Sequence, residues 1–209
     1  MKVNEVKTST DLDAIVDTLT AAFLEDDPVV NWLIPPGTPE RERYLRGFLR
    51  AWVKFMLDHE GTAIVTADHS GVLIWEPSPS GRKVPLTAED EEAFLADIAA
   101  STGPAEKRCL QLIEALDSNY PRDLPRHGHV ALAAVHPEAR GTDARTALTD
   151  ELVRLAVSLD LGGYCEASSE RNALLWERLG MQRIGEPIQL PESDVTLTPM
   201  FIPPPGVQG

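Results

Sequence analysis

The stretch GHVALAAVHP, Gly128 to Pro137, constrains this chain more than any other. From Val130 to Val135 it is apolar at both parities, so a strand built from it can leave neither face in water. Such a strand belongs inside a sheet covered by helices on both sides. The residues after Pro137 alternate cleanly between helical and strand patterns. Leu148, Leu152, Leu155, Ala156 and Leu159 mark an amphipathic helix. GGYCEAS reads as a short strand, SERNALLWERLG as a helix closed by Gly180, and DVTLTPMFI as a final strand. Strand–helix–strand–helix implies right-handed crossovers and locally parallel strands.

The first half supplies antiparallel partners. VNEVKT reads as a short strand. Thr10 precedes a helix with Leu12, Ile15, Leu19, Ala22 and Phe23 at helical spacing, and Asp11 and Asp13 suit its first turn. EDDP ends it, because a residue before proline is pushed out of helical geometry. PVVNWLIPPG is an apolar segment closed by a turn. From Glu40 a stripe of Tyr44, Leu45, Phe48, Leu49, Trp52, Phe55 and Met56 predicts a strong helix, and TAIVTADHSGVLIWEP predicts a hairpin. SPSGRKVP is a loop, with Gly81–Pro85 a candidate lid. Further helices are expected over Ala88–Ala100 and Pro104–Leu116. The expected architecture is a mixed α/β sheet with helices on both faces. It forms a single domain over residues 1–202, and the PPPGVQG tail, 203–209, is expected to fray.

A net charge of −14 over 209 residues disfavours nucleic acid and anionic membranes as partners. A cationic small molecule is the better electrostatic match. Two cysteines are too few for a disulfide framework, and Cys165 reads as a small buried residue. The N-terminal stretch lacks the apolar core of a signal peptide, and no run approaches the roughly 20 apolar residues of a membrane span. A cytoplasmic location is the expectation. No metal-ligand spacing is present, so no metal is expected.

The block VALAAVHPEARGTDARTALTDELVRLA, followed by CEASSERNALLWERLGM, resembles the Gcn5-related N-acetyltransferases (GNAT), and within them the puromycin-acetyltransferase-like members. AAFLEDDPVVNWLIPP and VLIWEPSP are similar to that subgroup's substrate-side helices and hairpin. The resemblance implies a mostly antiparallel central sheet with a splayed parallel pair, acetyl-coenzyme A as donor, and a small-molecule amine as acceptor. It places the splay at Ala133, Ala134 and Val135, which would face the acetyl-pantetheine arm. It lays the diphosphate loop, Arg/Gln-x-x-Gly-x-Gly/Ala, on Arg140, Gly141, Thr142, Asp143, Ala144 and Arg145, and puts Asn172 on the pantetheine.

Two positions depart from the pattern. Asp143 and Arg145 replace the loop's two glycines, and Trp176 stands where a tyrosine acid is common. An aspartate there would add charge beside a diphosphate, and at a helix start it would accept bonds from the amides the diphosphate needs. An indole N–H is not a useful acid for a thiolate.

For chemistry, His129 matches the first histidine of the His-x-His-x-Leu-Ala-Val-His pattern of arylalkylamine-type relatives, and could take a proton from an ammonium. Glu166 lies on a near-core strand, where a carboxylate must be paired or have a raised pKa. It is the other candidate base. Asp26, Asp27 and Trp32, with Trp75 and Glu76, are expected on the substrate side, where acid beside aromatic suits a cation. Three readings stay open: an acetyltransferase; an enzyme of the same fold that has abandoned the coenzyme for cyclisation, isomerisation, elimination or decarboxylation in small-molecule biosynthesis; and a non-catalytic binder of the self-resistance kind.

Overall fold

The structure is a computed structural model, and it describes residues 1–6, 11–83 and 86–207. Lys7 to Thr10, which include the end of the expected first strand and the residue ahead of the first helix, lie outside the described residues. So do Val84 and Pro85 of the candidate lid.

The chain opens with β1 (Val3–Val6), α1 (Leu12–Phe23), α2 (Pro28–Leu33) and α3 (Arg41–Asp58). The hairpin is β2 (Thr62–Thr66) and β3 (Gly71–Ser78). Next come α4 (Ala88–Thr102) and, after a 3₁₀ turn at Gly103–Ala105, α5 (Glu106–Asn119). The second half holds β4 (His127–Val135), α6 (Ala144–Ser158), β5 (Gly162–Ala167), α7 (Glu170–Glu177), the short β6 (Gln182–Arg183) and β7 (Ile188–Gln189), and β8 (Thr196–Ile202). The segment PVVNWL, expected only as apolar, is helical. Pro28 sits at its start, and the Asp27 carboxylate caps it by accepting from Val30 N at 3.0 Å.

Among the described residues eight strands form the sheet, in the order β1-β2-β3-β4-β5-β8-β6, with β7 on β8. Every pairing is antiparallel except β4 with β5. Strand alternation sorts the side chains onto two faces. Ala63, Val65, Val72 and Ile74 enter a core with α1–α5, whereas Ile64, Leu73, Trp75, Val130 and Cys165 enter a second core with α6 and α7. At Gly128 the second core comes close to the backbone: a Cβ there would sit 2.5 Å from the Trp75 ring. Among the described residues no helix is long and apolar enough to cross a membrane.

The β4–β5 ladder runs from His127↔Gly162 only to Val130↔Cys165, so the two strands part from Ala131 on, and Ala133, Ala134 and Val135 lie on the parted stretch. A bulge helps to explain this. Against β3 the register moves from Ile74↔Leu132 to Trp75↔Val130, which leaves Ala131 extra, and bulges re-aim a strand and end pairing. Beyond that point Ala133 is exposed, so the strand's far end is not covered on both faces. Of the tail expected to fray, 203–209, the last two residues lie outside the described residues and Pro205, Gly206 and Val207 are exposed. Pro204 is buried, and the Val207 amide donates to the Pro204 carbonyl at 3.2 Å.

Candidate active site

Three adjacent strands place Glu76, His129 and Glu166 on the face shared with α1–α5. Glu76 on β3 is directly opposite His129 on β4, and Glu166 on β5 lies one pleat beyond Tyr164, the residue opposite His129. His129 Nε2 is 2.8 Å from Glu166 Oε2, and Nδ1 is 3.4 Å from Glu76 Oε1. The side chains of His129 and Glu166 are 11% and 6% exposed, and that of Glu76 is 22% exposed. So few water contacts make their mutual charges decisive. Burial pulls the His129 pKa down, but the charge and hydrogen bond of Glu166, joined by Glu76, override it and hold the ring protonated, at a pKa of about 10. Burial by itself would raise Glu76, yet the His129 contact brings its carboxyl below the ordinary range. One imidazolium between two carboxylates leaves this ladder with one net negative charge.

An aromatic box closes around the ladder. The Tyr120 ring meets His129 edge-on at 5.5 Å between centroids, and Tyr164 lies 5.3 Å from His129. His127 is fully buried, and burial lowers its pKa, so it is neutral. Its Nδ1 donates to the Pro125 carbonyl at 2.8 Å, which leaves Nε2 to accept the Tyr120 hydroxyl proton at 2.6 Å. Among the buried polar atoms described, Glu166 Oε1, Tyr164 Oη and Trp75 Nε1 have no partner in hydrogen-bond geometry, although the Tyr164 hydroxyl lies near enough to Glu166 for the carboxylate to help push its pKa up, after burial. An orphaned carboxylate oxygen beside a splayed strand pair is a place for a hydrogen-bond donor.

The other sequence candidates divide. Ala133, Ala134 and Val135 lie on the stretch of β4 that β5 does not pair, as a groove wall would. At the start of α6, Asp143 does not act as expected. Its side chain makes no capping bond and is exposed. Thr142 Oγ1 instead accepts from Ala144 N at 3.3 Å, and the amides of Arg145 and Thr146 have no partner among the described residues. The helix start is therefore open to an anion, the reverse of the sequence expectation. Gly141, with φ of +88° and no atom near its missing Cβ, gives the turn a left-handed residue without crowding it. Arg140 is directed away from the loop, toward Asp26 at 3.4 Å and the Ala22 carbonyl at 3.3 Å. Arg145 is exposed, and Ala144 is buried beneath the turn.

Asn172 donates to Ser168 Oγ at 3.0 Å, and Ser168 donates to Asp27 Oδ2 at 2.8 Å. Burial raises the Asp27 pKa, opposed by its bonds from Val30 and Ser168. Asp27 is thus a helix cap tied to the turn after β5. The expected substrate trio does not assemble. Trp32 is 7% exposed, gives its indole N–H to the Pro191 carbonyl at 3.0 Å, and belongs to the α1–α5 core. Trp75 faces the opposite side of the sheet from Glu76, because neighbouring residues on a strand point to opposite faces. There Trp75 and Trp176 line a mostly apolar cavity of about 320 Å³ between α6, α7 and the C-terminal segment. Trp176 also packs against the core of that side.

Reading the sequence missed Tyr120, Tyr164 and Ser168, and gave Glu76 no role as a partner of His129. Pairing the hairpin with GHVALAAV would have found Glu76, since it shares the parity of Ile74 and is acidic in an apolar strand. Nothing local announces Tyr120, which arrives from the end of α5. Among the described residues no group of three or more His, Cys, Asp or Glu side chains is arranged to hold a metal ion.

No protein-family model matches the sequence, and no curated protein matches it. Solved structures do match in shape. One, from Corynebacterium glutamicum and described as histone acetyltransferase HPA2 and related acetyltransferase, is 24% identical. It has a TM-score of 0.63 and covers 99% of this chain and 100% of its own. The apo form of an agmatine N-acetyltransferase variant is 16% identical, with a TM-score of 0.61 and 97% and 100% coverage. A PaiA N-acetyltransferase from Thermoplasma acidophilum in complex with coenzyme A is 8% identical, with a TM-score of 0.52 and 97% and 99% coverage. At such identities the likeness is one of architecture, and it matches the sheet order, the splayed parallel pair and the two helical layers of this chain: it has the fold of the Gcn5-related N-acetyltransferases.

Proposed function

We propose that this chain transfers an acetyl group from acetyl-coenzyme A to the primary amine of a small molecule. The observation that carries the reading is the Glu76–His129–Glu166 ladder, with its single net negative charge and one unpartnered carboxylate oxygen beside the splay. At about 4 Å one such charge attracts an ammonium by about 4 kcal/mol at an effective dielectric near 20. That is enough to select a cation. Structural neighbours that include an agmatine N-acetyltransferase support an amine acceptor, and the PaiA complex supports coenzyme A as carrier.

Of the two candidate bases, the geometry favours Glu166. Both ring nitrogens of His129 are engaged as donors, so its imidazolium has no lone pair to offer. The ammonium gives a proton to the Glu166 carboxylate, leaving a neutral amine and a carboxylic acid, while His129 stays charged and holds both carboxylates in place. The bound donor would supply an acetyl thioester. Gly141, Thr142, Asp143 and Ala144, with the open amides of Arg145 and Thr146, would hold its diphosphate, and Ala133–Val135 its pantetheine arm. Trp176 has no proton to give at neutral pH, which leaves protonation of the departing thiolate to water.

Calorimetric titration tests the donor: acetyl-coenzyme A should bind more tightly than about 100 µM. Glu166→Gln should then lower kcat/KM about 100- to 10,000-fold while that affinity persists. Full turnover in this variant would remove Glu166 from the chemistry. A coenzyme-free enzyme on the same fold is favoured by one observation, that Arg140 and Asn172 are bonded to protein rather than left for a ligand. Failure of acetyl-coenzyme A to bind would select it.

A further inference from the structure

Beside the ladder is a second feature that the proposed reaction does not use. The turn after β3 and the segment after α5 enclose a cavity of about 450 Å³ lined by Arg82, Lys83, Asp117, Tyr120, Arg122 and Asp123. The packing holds its two walls together. Gly81 is buried, with φ of +72°, and any Cβ there would collide with the Leu124 carbonyl. The Ser78 hydroxyl donates to the Arg82 carbonyl at 2.6 Å, and Lys83 pairs with Asp117 across the opening. Tyr120 is shared: it lines this cavity, and its ring packs edge-on against His129.

The charges run against those of the whole chain. In a protein of net charge −14, this one opening carries a positive balance: Arg82, Lys83 and Arg122 against Asp117 and Asp123. Among the described residues Arg82 and Arg122 have no ion-pair partner, whereas Lys83 is taken by Asp117. Lys83 also lies near enough to Glu76 for its charge to help keep that carboxyl low, after the stronger effects of burial and His129. A buried negative ladder therefore adjoins an open pocket where, with Lys83 taken by Asp117, the exposed guanidiniums of Arg82 and Arg122 outnumber the one remaining carboxylate, Asp123; guanidiniums are the groups best shaped for two-point binding of a carboxylate.

We propose, resting on the acetyltransferase reading, that the acceptor is an amino acid–like zwitterion: its ammonium meets the ladder and its carboxylate is held by Arg82 and Arg122 in the adjoining cavity. A polyamine would bring a second cation to those guanidiniums and be repelled. The reading of the first site selects any amine. The second cavity narrows it to amines that carry an anion.

The test compares 5-aminopentanoate, pentylamine and 1,5-diaminopentane as acceptors for the full chain, following thiol release. The wild type should favour 5-aminopentanoate over pentylamine by roughly 10- to 100-fold in kcat/KM. Arg122→Gln and Arg82→Gln should each raise KM for 5-aminopentanoate and collapse that ratio toward one. Arg122→Glu should move preference toward 1,5-diaminopentane. Equal or better use of pentylamine or 1,5-diaminopentane by the wild type would overturn the proposal. So would loss of turnover on all three acceptors alike in the variants. If none of the three is acetylated, the acetyltransferase reading fails separately. Calorimetry then decides the site itself: binding of 5-aminopentanoate that weakens tenfold or more in Arg122→Gln supports it, and no binding refutes it.

Discussion

Replacing His129 by Gln removes the one cation from a ladder whose carboxylates are 6% and 22% exposed. Uncompensated buried charge of this kind costs about 3 to 5 kcal/mol at neutral pH. The more telling quantity is how that cost changes with pH. The folded-state pKa of His129 is raised to about 10 from an ordinary value near 6.5. A raised pKa means the stabilisation is complete below about pH 6.5 and fades as pH climbs toward 10. Over that window the folded protein keeps a proton that the unfolded chain has released. Each pH unit then removes up to about 1.4 kcal/mol, so between pH 7 and pH 9 the wild type should lose about 2 to 3 kcal/mol that the Gln variant does not. Urea unfolding of both proteins at pH 6, 7, 8 and 9, followed by circular dichroism, measures this directly. The two stabilities should converge as pH rises. Parallel curves, or a His129 ring signal titrating near 6.5 by nuclear magnetic resonance, would refute the claim that the carboxylates hold the imidazolium.

Three further variants test particular contacts. Gly128→Ala would bring a Cβ within 2.5 Å of the Trp75 ring and should destabilise the fold by about 1 to 3 kcal/mol, with a lowered Tm and altered tryptophan emission. Asp143→Ala should change stability by less than about 0.5 kcal/mol, since this exposed carboxylate caps nothing; a true cap would cost about 1 kcal/mol. The same variant should tighten acetyl-coenzyme A up to about fivefold in calorimetry, because a negative charge leaves the helix start. Ser168→Ala removes the hydroxyl between Asp27 and Asn172 and should cost about 1 to 3 kcal/mol by thermal melting.

The sequence carried the sheet well because periodicity is local. The run Val130–Val135, the hairpin around Asp68–Gly71 and the stripe of α3 each announce their element within a dozen residues. Helix α2 was hidden by its length: six residues, Pro28 to Leu33, are too few to display a helical period. The point at which the strands begin to part was not legible, because a bulge at Ala131 changes no residue type; it is a property of register between two strands. Asp143 misled for a subtler reason. Its residue type suits a cap, yet its backbone, at φ −75° and ψ 0°, is not the extended conformation in which a cap's oxygen reaches forward. Of the candidate site, His129 and Glu166 were legible because polar residues on near-core strands are rare. Tyr120 was not, because it comes to His129 from outside the sheet.

Adjacent residues grip the two diverging strands beyond their ends. Asp26 reaches the Arg140 guanidinium in the loop five residues past β4, and Asp27 reaches Ser168 just past β5. Their α-carbons stand one trans peptide apart, about 3.8 Å. The two grips are unequal: the Asp26–Arg140 pair is exposed and yields readily, whereas Asp27 both caps α2 and holds Ser168, so the firmer anchor is on the β5 side.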